Sequence, residues 1–299
     1  VDLKEEYIMP QIQITDTRGL EQKTGTGVQI DSITNTSQGL TVLKEGVSEI
    51  GHTGLVIGKS QSTHATANPY EESATQLWPL GTKLLYGDRE FAYARMGGAV
   101  TAGKLVAQAV HQGADHLDME ITSGDVPAVG SFRISLETNG TDLTANQYAG
   151  GYIYVNDGTG EGQLMKIKSH AAHTHGSDPT VIFTTFDPVT VALVAGGTSM
   201  VTIHQNKYYK VVIAAHAEAS ALAGVTVRDM QNNYFGWVQC HGPAAILTRG
   251  TIVVGNHVTR STASVAGAVQ AAGDDVSVVV GEVMVVNVTT DYSLIDLRL

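Results

Sequence analysis

His170-Ala171-Ala172-His173-Thr174-His175 places three imidazoles within one short stretch. Imidazole nitrogens bind divalent metals and carry protons near neutral pH. On a strand, His173 and His175 at i, i+2 share a face and could hold a metal together. A catalytic zinc site would also need a third ligand and a supporting carboxylate, for which Asp178 is the near candidate. Gly176 and Pro179 follow, so the sequence predicts an exposed loop tip between strands. His170, His173 and His175 are therefore weak metal candidates, and no metal or other cofactor is expected.

Asp157-Gly158-Thr159-Gly160-Glu161-Gly162 has the glycine density of a phosphate-cradling loop. Such loops need a helix N-terminus behind them, and in the P-loop a Lys-Ser/Thr pair. Here Gln163-Leu164-Met165-Lys166-Ile167 continues as a strand, which makes the segment a turn or bulge. Asp157 and Glu161 do not have EF-hand spacing. Cys240 is the only cysteine, so an internal disulfide and a cysteine-based zinc site are both excluded. In its apolar strand it is expected to be a small buried hydrophobe rather than a nucleophile.

The chain contains no Gly-X-Ser-X-Gly elbow, no His-Glu-X-X-His and no carboxylate pair in a recognisable frame. Asp274-Asp275 reads as a solvated turn. Tyr234 and Trp237 could form a sugar platform, although core or interface packing suits them better. No catalytic residue is expected, and the protein is read as a non-enzyme.

The elements carrying these residues are short and apolar, with glycine between them, which predicts a mainly β protein with little helix. Residues 1–76 are irregular and polar and are read as an extended N-terminal arm, with a small β domain as the alternative. Within the arm, Gly39 to Ile57 could supply one or two strands, and Ala65 to Gln76 a short helix interrupted by Pro69. Leu77 to Asp88 reads as strand then turn. Arg89 to Met96 alternates so that Phe91 and Tyr93 share a face. Val100 to Gln108 is a strand or a short helix.

Residues 114–206 are read as an inserted β domain. Its expected strands are Phe132–Glu137, Tyr152–Val155, Leu164–Lys168, Val181–Phe186 and Met200–Ile203. Asn139-Gly140 is a hairpin signal. Residues 77–113 and 207–299 together are expected to build a barrel or sandwich. Strands are expected there at Tyr209–Ile213, Tyr234–Cys240, Ala245–Leu247, Thr251–Val254, Val276–Val286 and Leu294–Leu297.

Composition narrows the function classes further. The 299 residues carry 18 basic and 29 acidic side chains, a net charge of -11 with histidine neutral. Such a surface repels phosphate backbones and anionic lipid, so neither nucleic acid nor membrane is an expected partner. No apolar run reaches the ~20 residues of a membrane-spanning helix. Charged residues are 16% of the chain, against ~25% in ordinary soluble domains, with 33 Gly and 32 Thr in their place. Surfaces poor in Lys and Glu are easier to desolvate, as interfaces are. Asn35, Asn139 and Asn287 match a glycosylation pattern that arises readily by chance in a Thr-rich chain. The start at Val1 is compatible with processing of a longer precursor, and Met9 with an internal start.

Three stretches together resemble virion structural proteins of tailed bacteriophages. The first is Leu80-Gly81-Thr82-Lys83, then Phe91-Ala92-Tyr93-Ala94, then Gly98 to Val106. The second is Gly151 to Gly162 followed by Ile167-Lys168-Ser169. The third and most specific is Tyr234-Phe235-Gly236-Trp237-Val238-Gln239 with Gly242-Pro243-Ala244-Ala245, followed by Gly255 and Ala266-Gly267-Ala268-Val269. Cys240-His241 departs from the small or hydroxyl residue and polar residue expected there. The resemblance covers roughly Leu77 to Leu299.

It implies a capsid decoration, or cement, protein on the exterior of a virion, made in the host cytoplasm. Its partner would be the major capsid protein of the same particle, and it would form a homo-oligomer, a trimer in preference to a dimer. The arm would then contact neighbouring subunits by adding to a sheet edge. Expected interface positions are Ile12, Ile14, Val42, Leu43, Trp78, Tyr234 and Trp237. The competing readings are a tail, fibre or host-surface glycan-binding adhesion module using exposed aromatics, and a metal-dependent hydrolase using the histidines.

Overall fold

The computed structural model describes residues 12–15, 19–22, 55–57, 67–109, 114–177, 179–215, 220–262, 265–273, 278–288 and 290–299. Contacts divide the chain into two units, Val1–Val47 and Ser48–Leu299. In the first, β1 (Ile12–Thr15) and β2 (Gly19–Gln22) form an antiparallel pair with Ile12 opposite Gln22. Val42 and Leu43 lie outside the described residues.

Among the described residues, the regular secondary structure of the second unit is almost all strand. The chain first lays down β3 (Leu55–Ile57), β4 (Glu72–Ser73), β5 (Lys83–Tyr86), β6 (Arg89–Arg95) and β7 (Leu105–Ala107). Of the stretch expected as an arm, β3 and β4 join the large sheet, pairing with β5 and with a later strand. Residues 67–76 turn around Asn68 into β4 instead of forming a helix. At 100–108 the outcome is strand, because Gly103 sits at φ +71 immediately before β7.

Six strands then close into an antiparallel barrel. After a single 3-10 turn (Ala114–His116) come β8 (Met119–Ile121), β9 (Arg133–Glu137), β10 (Tyr152–Gly158), β11 (Leu164–His170), β12 (Thr180–Thr185) and β13 (Ser199–His204). Around the barrel the order is β10-β11-β12-β9-β8-β13. Period-two alternation sends Ile153, Val155, Met165, Ile167, Val181 and Phe183 inward, where they pack with Ile134, Leu136, Val201 and Ile203. Small barrels are filled in this way by side chains, each fully buried one contributing roughly 1.5–3 kcal/mol.

Asn139-Gly140 does not form the expected hairpin, since β9 pairs with β8 and β12. Asn139 instead ties back to the 3-10 turn, donating its backbone N–H to Asp115 and its side-chain amide to the Leu117 carbonyl. The chain then crosses to β10, carrying Leu143 and Tyr148 into the barrel core.

The remaining strands are β14 (Val212–Ile213), β15 (Leu222–Thr226), β16 (Phe235–Leu247), β17 (His257–Arg260), β18 (Val269–Ala271), β19 (Val279–Val285) and β20 (Tyr292–Arg298). They run β14-β7-β15-β16-β20-β19-β17-β18, and β6, β5 and β3 attach through β16. The two strands expected at Tyr234–Cys240 and Ala245–Leu247 are thus one strand, β16. Its first half pairs with β6 and its second with β20, with a register shift between Gln239 and His241.

Gly242 sits beyond that shift at φ +81, where a Cβ would stand 2.4 Å from the Asp88 carbonyl. Thr251–Val254 is not a strand: glycines at φ +72 (Gly250) and φ +81 (Gly255) bracket a loop there. The strand expected over Tyr209–Ile213 shrinks to β14 because Lys210 adopts φ +53.

β6 and β16 are buried on both faces. Phe91, Tyr93 and Trp237 pack with Leu84 on one side, beneath Ala67 and the half-buried Trp78. Ala92, Ala94, Met96, Val238 and Cys240 form the core on the other. The far half of β16 sends Ala244 and Ile246 into a third core with Ile295, Leu297, Val280 and Val258.

Candidate functional site

The three histidines are not on an exposed tip. His170 ends β11 and is buried, with Nε2 accepting the Tyr148 N–H at 3.0 Å and Nδ1 donating to the Ala171 carbonyl at 2.8 Å. Both ring nitrogens are occupied in one neutral tautomer, and burial holds its pKa below the ordinary histidine value. His173 and His175 do converge, but on a hydroxyl. His173 Nε2 lies 3.0 Å and His175 Nδ1 2.8 Å from Thr138 Oγ1, which donates to the Pro179 carbonyl at 3.1 Å. With its one proton directed there, the hydroxyl oxygen receives an N–H from each ring.

Asp178 lies outside the described residues. Among the described residues no three His, Cys, Asp or Glu side chains converge as metal ligands. The arrangement ties His173 and His175 to Thr138, just past the end of β9.

Asp157 Oδ1 accepts the Gly158 N–H at 2.8 Å, and Gly158, Gly160 and Gly162 all have positive φ in the β10–β11 hairpin. Cys240 is buried, its thiol 3.4 Å from the Ala223 carbonyl, and burial pushes its pKa up. Asp274 and Asp275 lie outside the described residues.

Of the expected interface positions, Trp237 is interior. It is 3% exposed and packs edge-on against Tyr93 at 5.0 Å between centroids. It therefore presents no platform to a glycan. Trp78 and Tyr234 are half-buried, and Ile12 and Ile14 lie in β1.

Large apolar side chains are exposed elsewhere. On the outer face of the barrel Tyr154 stands directly across from Leu164, and Tyr152 across from Lys166. Phe186, whose N–H donates to the Lys166 carbonyl, lies next to this pair, and Ile182, across from Ser135, is exposed further along β12. Leu164 is 60% exposed. Sequence reasoning did not single these residues out, although Tyr152-Ile153-Tyr154-Val155 carries apolar side chains on both parities of one strand. In a closed barrel one parity must face outward.

A cleft of about 360 Å³ opens where β16 slips register. Arg89 and Asp229 contribute charges to its lining, Gln239 an amide, and Tyr70 and Tyr292 rings. The Arg89 guanidinium lies 5.5–5.7 Å from the centroids of Tyr70, Tyr86 and Phe91. Asp229 Oδ1 accepts the Ala102 N–H at 2.9 Å. Tyr292 lies against Gly103, where a Cβ would come within 2.4 Å of its ring. Arg89 and Asp229 are too far apart in sequence for any spacing rule to associate them.

Compared with known proteins, the chain matches no family model, no curated protein and no solved structure.

Proposed function

We propose that the protein is a non-enzymatic structural protein of a tailed-bacteriophage virion that binds and stabilises the outside of the capsid. The observation that carries this reading is the group of exposed side chains Tyr152, Tyr154, Leu164 and Phe186 around Lys166 on a fully closed barrel. A closed barrel has no free strand edge, so its recognition surface is made of outward side chains, and contiguous exposed apolar groups mark contact sites. Low charge content and the three resembling stretches support the same reading.

The partner is the major capsid protein, with self-association into a homo-oligomer, a trimer in preference to a dimer. The N-terminal segment reaches neighbouring subunits. The test is addition of purified protein to shells lacking it, followed by sedimentation and heating of the particles. Saturable co-sedimentation and raised particle stability are expected, with loss of both in Leu164→Asp. Absence of saturation on intact shells overturns the reading.

A further inference from the structure

We propose that the cleft at the register slip of β16 is a saccharide-binding site. At about 360 Å³ it falls within the range of small-ligand pockets. Tyr70 and Tyr292, 42% and 41% exposed, are among its lining residues and supply aromatic carbon for the C–H groups of a sugar. The Arg89 guanidinium lies among three rings, yet among the described residues its side chain makes no hydrogen bond or ion pair, so its fork of donors remains available. Asp229 spends one oxygen on the Ala102 N–H and keeps acceptor capacity on the other.

The charge pattern disfavours ligands of a single sign. Arg89 and Asp229 do not pair with each other, although both line the cleft. A simple anion meets Asp229 and a simple cation meets Arg89, each unfavourably. A neutral polyol satisfies both, because every hydroxyl donates and accepts. Neighbouring hydroxyls also match the two-point spacing of the Arg89 guanidinium. Gln239 cannot compete for the ligand with its amide protons, which go to the carbonyls of His241, Gly242 and Pro243. They hold open the slip that forms the cleft. This site does not rest on the shell-binding reading.

The test is saturation-transfer NMR on the full chain with glucose, galactose, mannose, N-acetylglucosamine, maltose and lactose at millimolar concentration. Glycine and succinate serve as the zwitterion and the anion. Saturable transfer to at least one sugar is expected, with binding weakened about tenfold or more in Arg89→Met and in Asp229→Asn. Asp229→Asn retains Oδ1 for the Ala102 N–H, so the fold is preserved, and shell binding stays at the wild-type level in both variants. Transfer to no sugar, transfer to glycine or succinate alone, or sugar binding unchanged in both variants overturns the proposal.

Discussion

The side-chain amide of Gln239 donates to the Pro243 carbonyl at 2.9 Å, across the point where β16 changes partners. The same nitrogen reaches the carbonyls of His241 and Gly242 at 3.1 Å each. These carbonyls flank the slip in the β6–β16 ladder, and the two amide protons of a side chain 1% exposed are shared among them. One glutamine thereby allows a single strand to serve two halves of a sheet.

Gln239→Leu is expected to destabilise the chain by about 2 kcal/mol, since three carbonyls lose a buried donor. Urea unfolding should show a lower midpoint with an unchanged slope. A midpoint equal to wild type would mean that the slip holds itself.

Gly103→Ala should cost more than Gly87→Ala. Both glycines have positive φ, +71 and +63, but a Cβ at Gly87 meets nothing within 4 Å. Gly87→Ala therefore reports the backbone penalty alone, about 1–2 kcal/mol. At Gly103 the ring of Tyr292 must also move, and the excess should shrink in a Tyr292→Ala background, as thermal unfolding of the four variants would show.

His170 makes stability depend on pH. Its folded pKa lies below the unfolded value of about 6.5, so between the two the unfolded chain binds more protons. The contribution is complete above the unfolded value and is lost as pH falls through that window towards the folded pKa. Melting temperature should drop on acidification from pH 7, and the drop should be smaller in His170→Gln. NMR titration of the His170 ring should show it still neutral where an exposed histidine is half protonated.

Tyr154→Ser and Leu164→Asp act on the barrel's outer face, where substitutions usually change stability by no more than about 0.5 kcal/mol. Chemical denaturation should be near wild type while particle binding is lost. Equal losses in both assays would place these side chains in folding instead.

Cys240 should resist a thiol reagent in the native protein and react once on unfolding, because burial and the raised pKa withhold the thiolate. Rapid native labelling would show that the core around β16 opens readily.

The mainly β character was legible from local sequence. Phe132–Glu137 alternates apolar and polar residues along its length, and that alternation is a property of a strand alone. The placing of Phe91 and Tyr93 on one face followed from the period of two, and the burial of Cys240 from the apolar strand that carries it.

Local sequence therefore marked most of the segments that become strands, but not their bounds or, at Tyr152–Val155, the face that is buried. Packing between distant segments settled which strand lies beside which, and that decided the rest. Asn139-Gly140 has a hairpin's chemistry, yet β9 finds its partners in β8 and β12, because closing the barrel satisfies every edge. The histidine stretch looks like a ligand set, yet its rings are consumed by Tyr148, Ala171 and Thr138. Arg89, Asp229 and Tyr292 carry no local signal at all. They meet only because β16 slips at Gln239, and non-local contacts of that kind are fixed by packing and not by spacing along the chain.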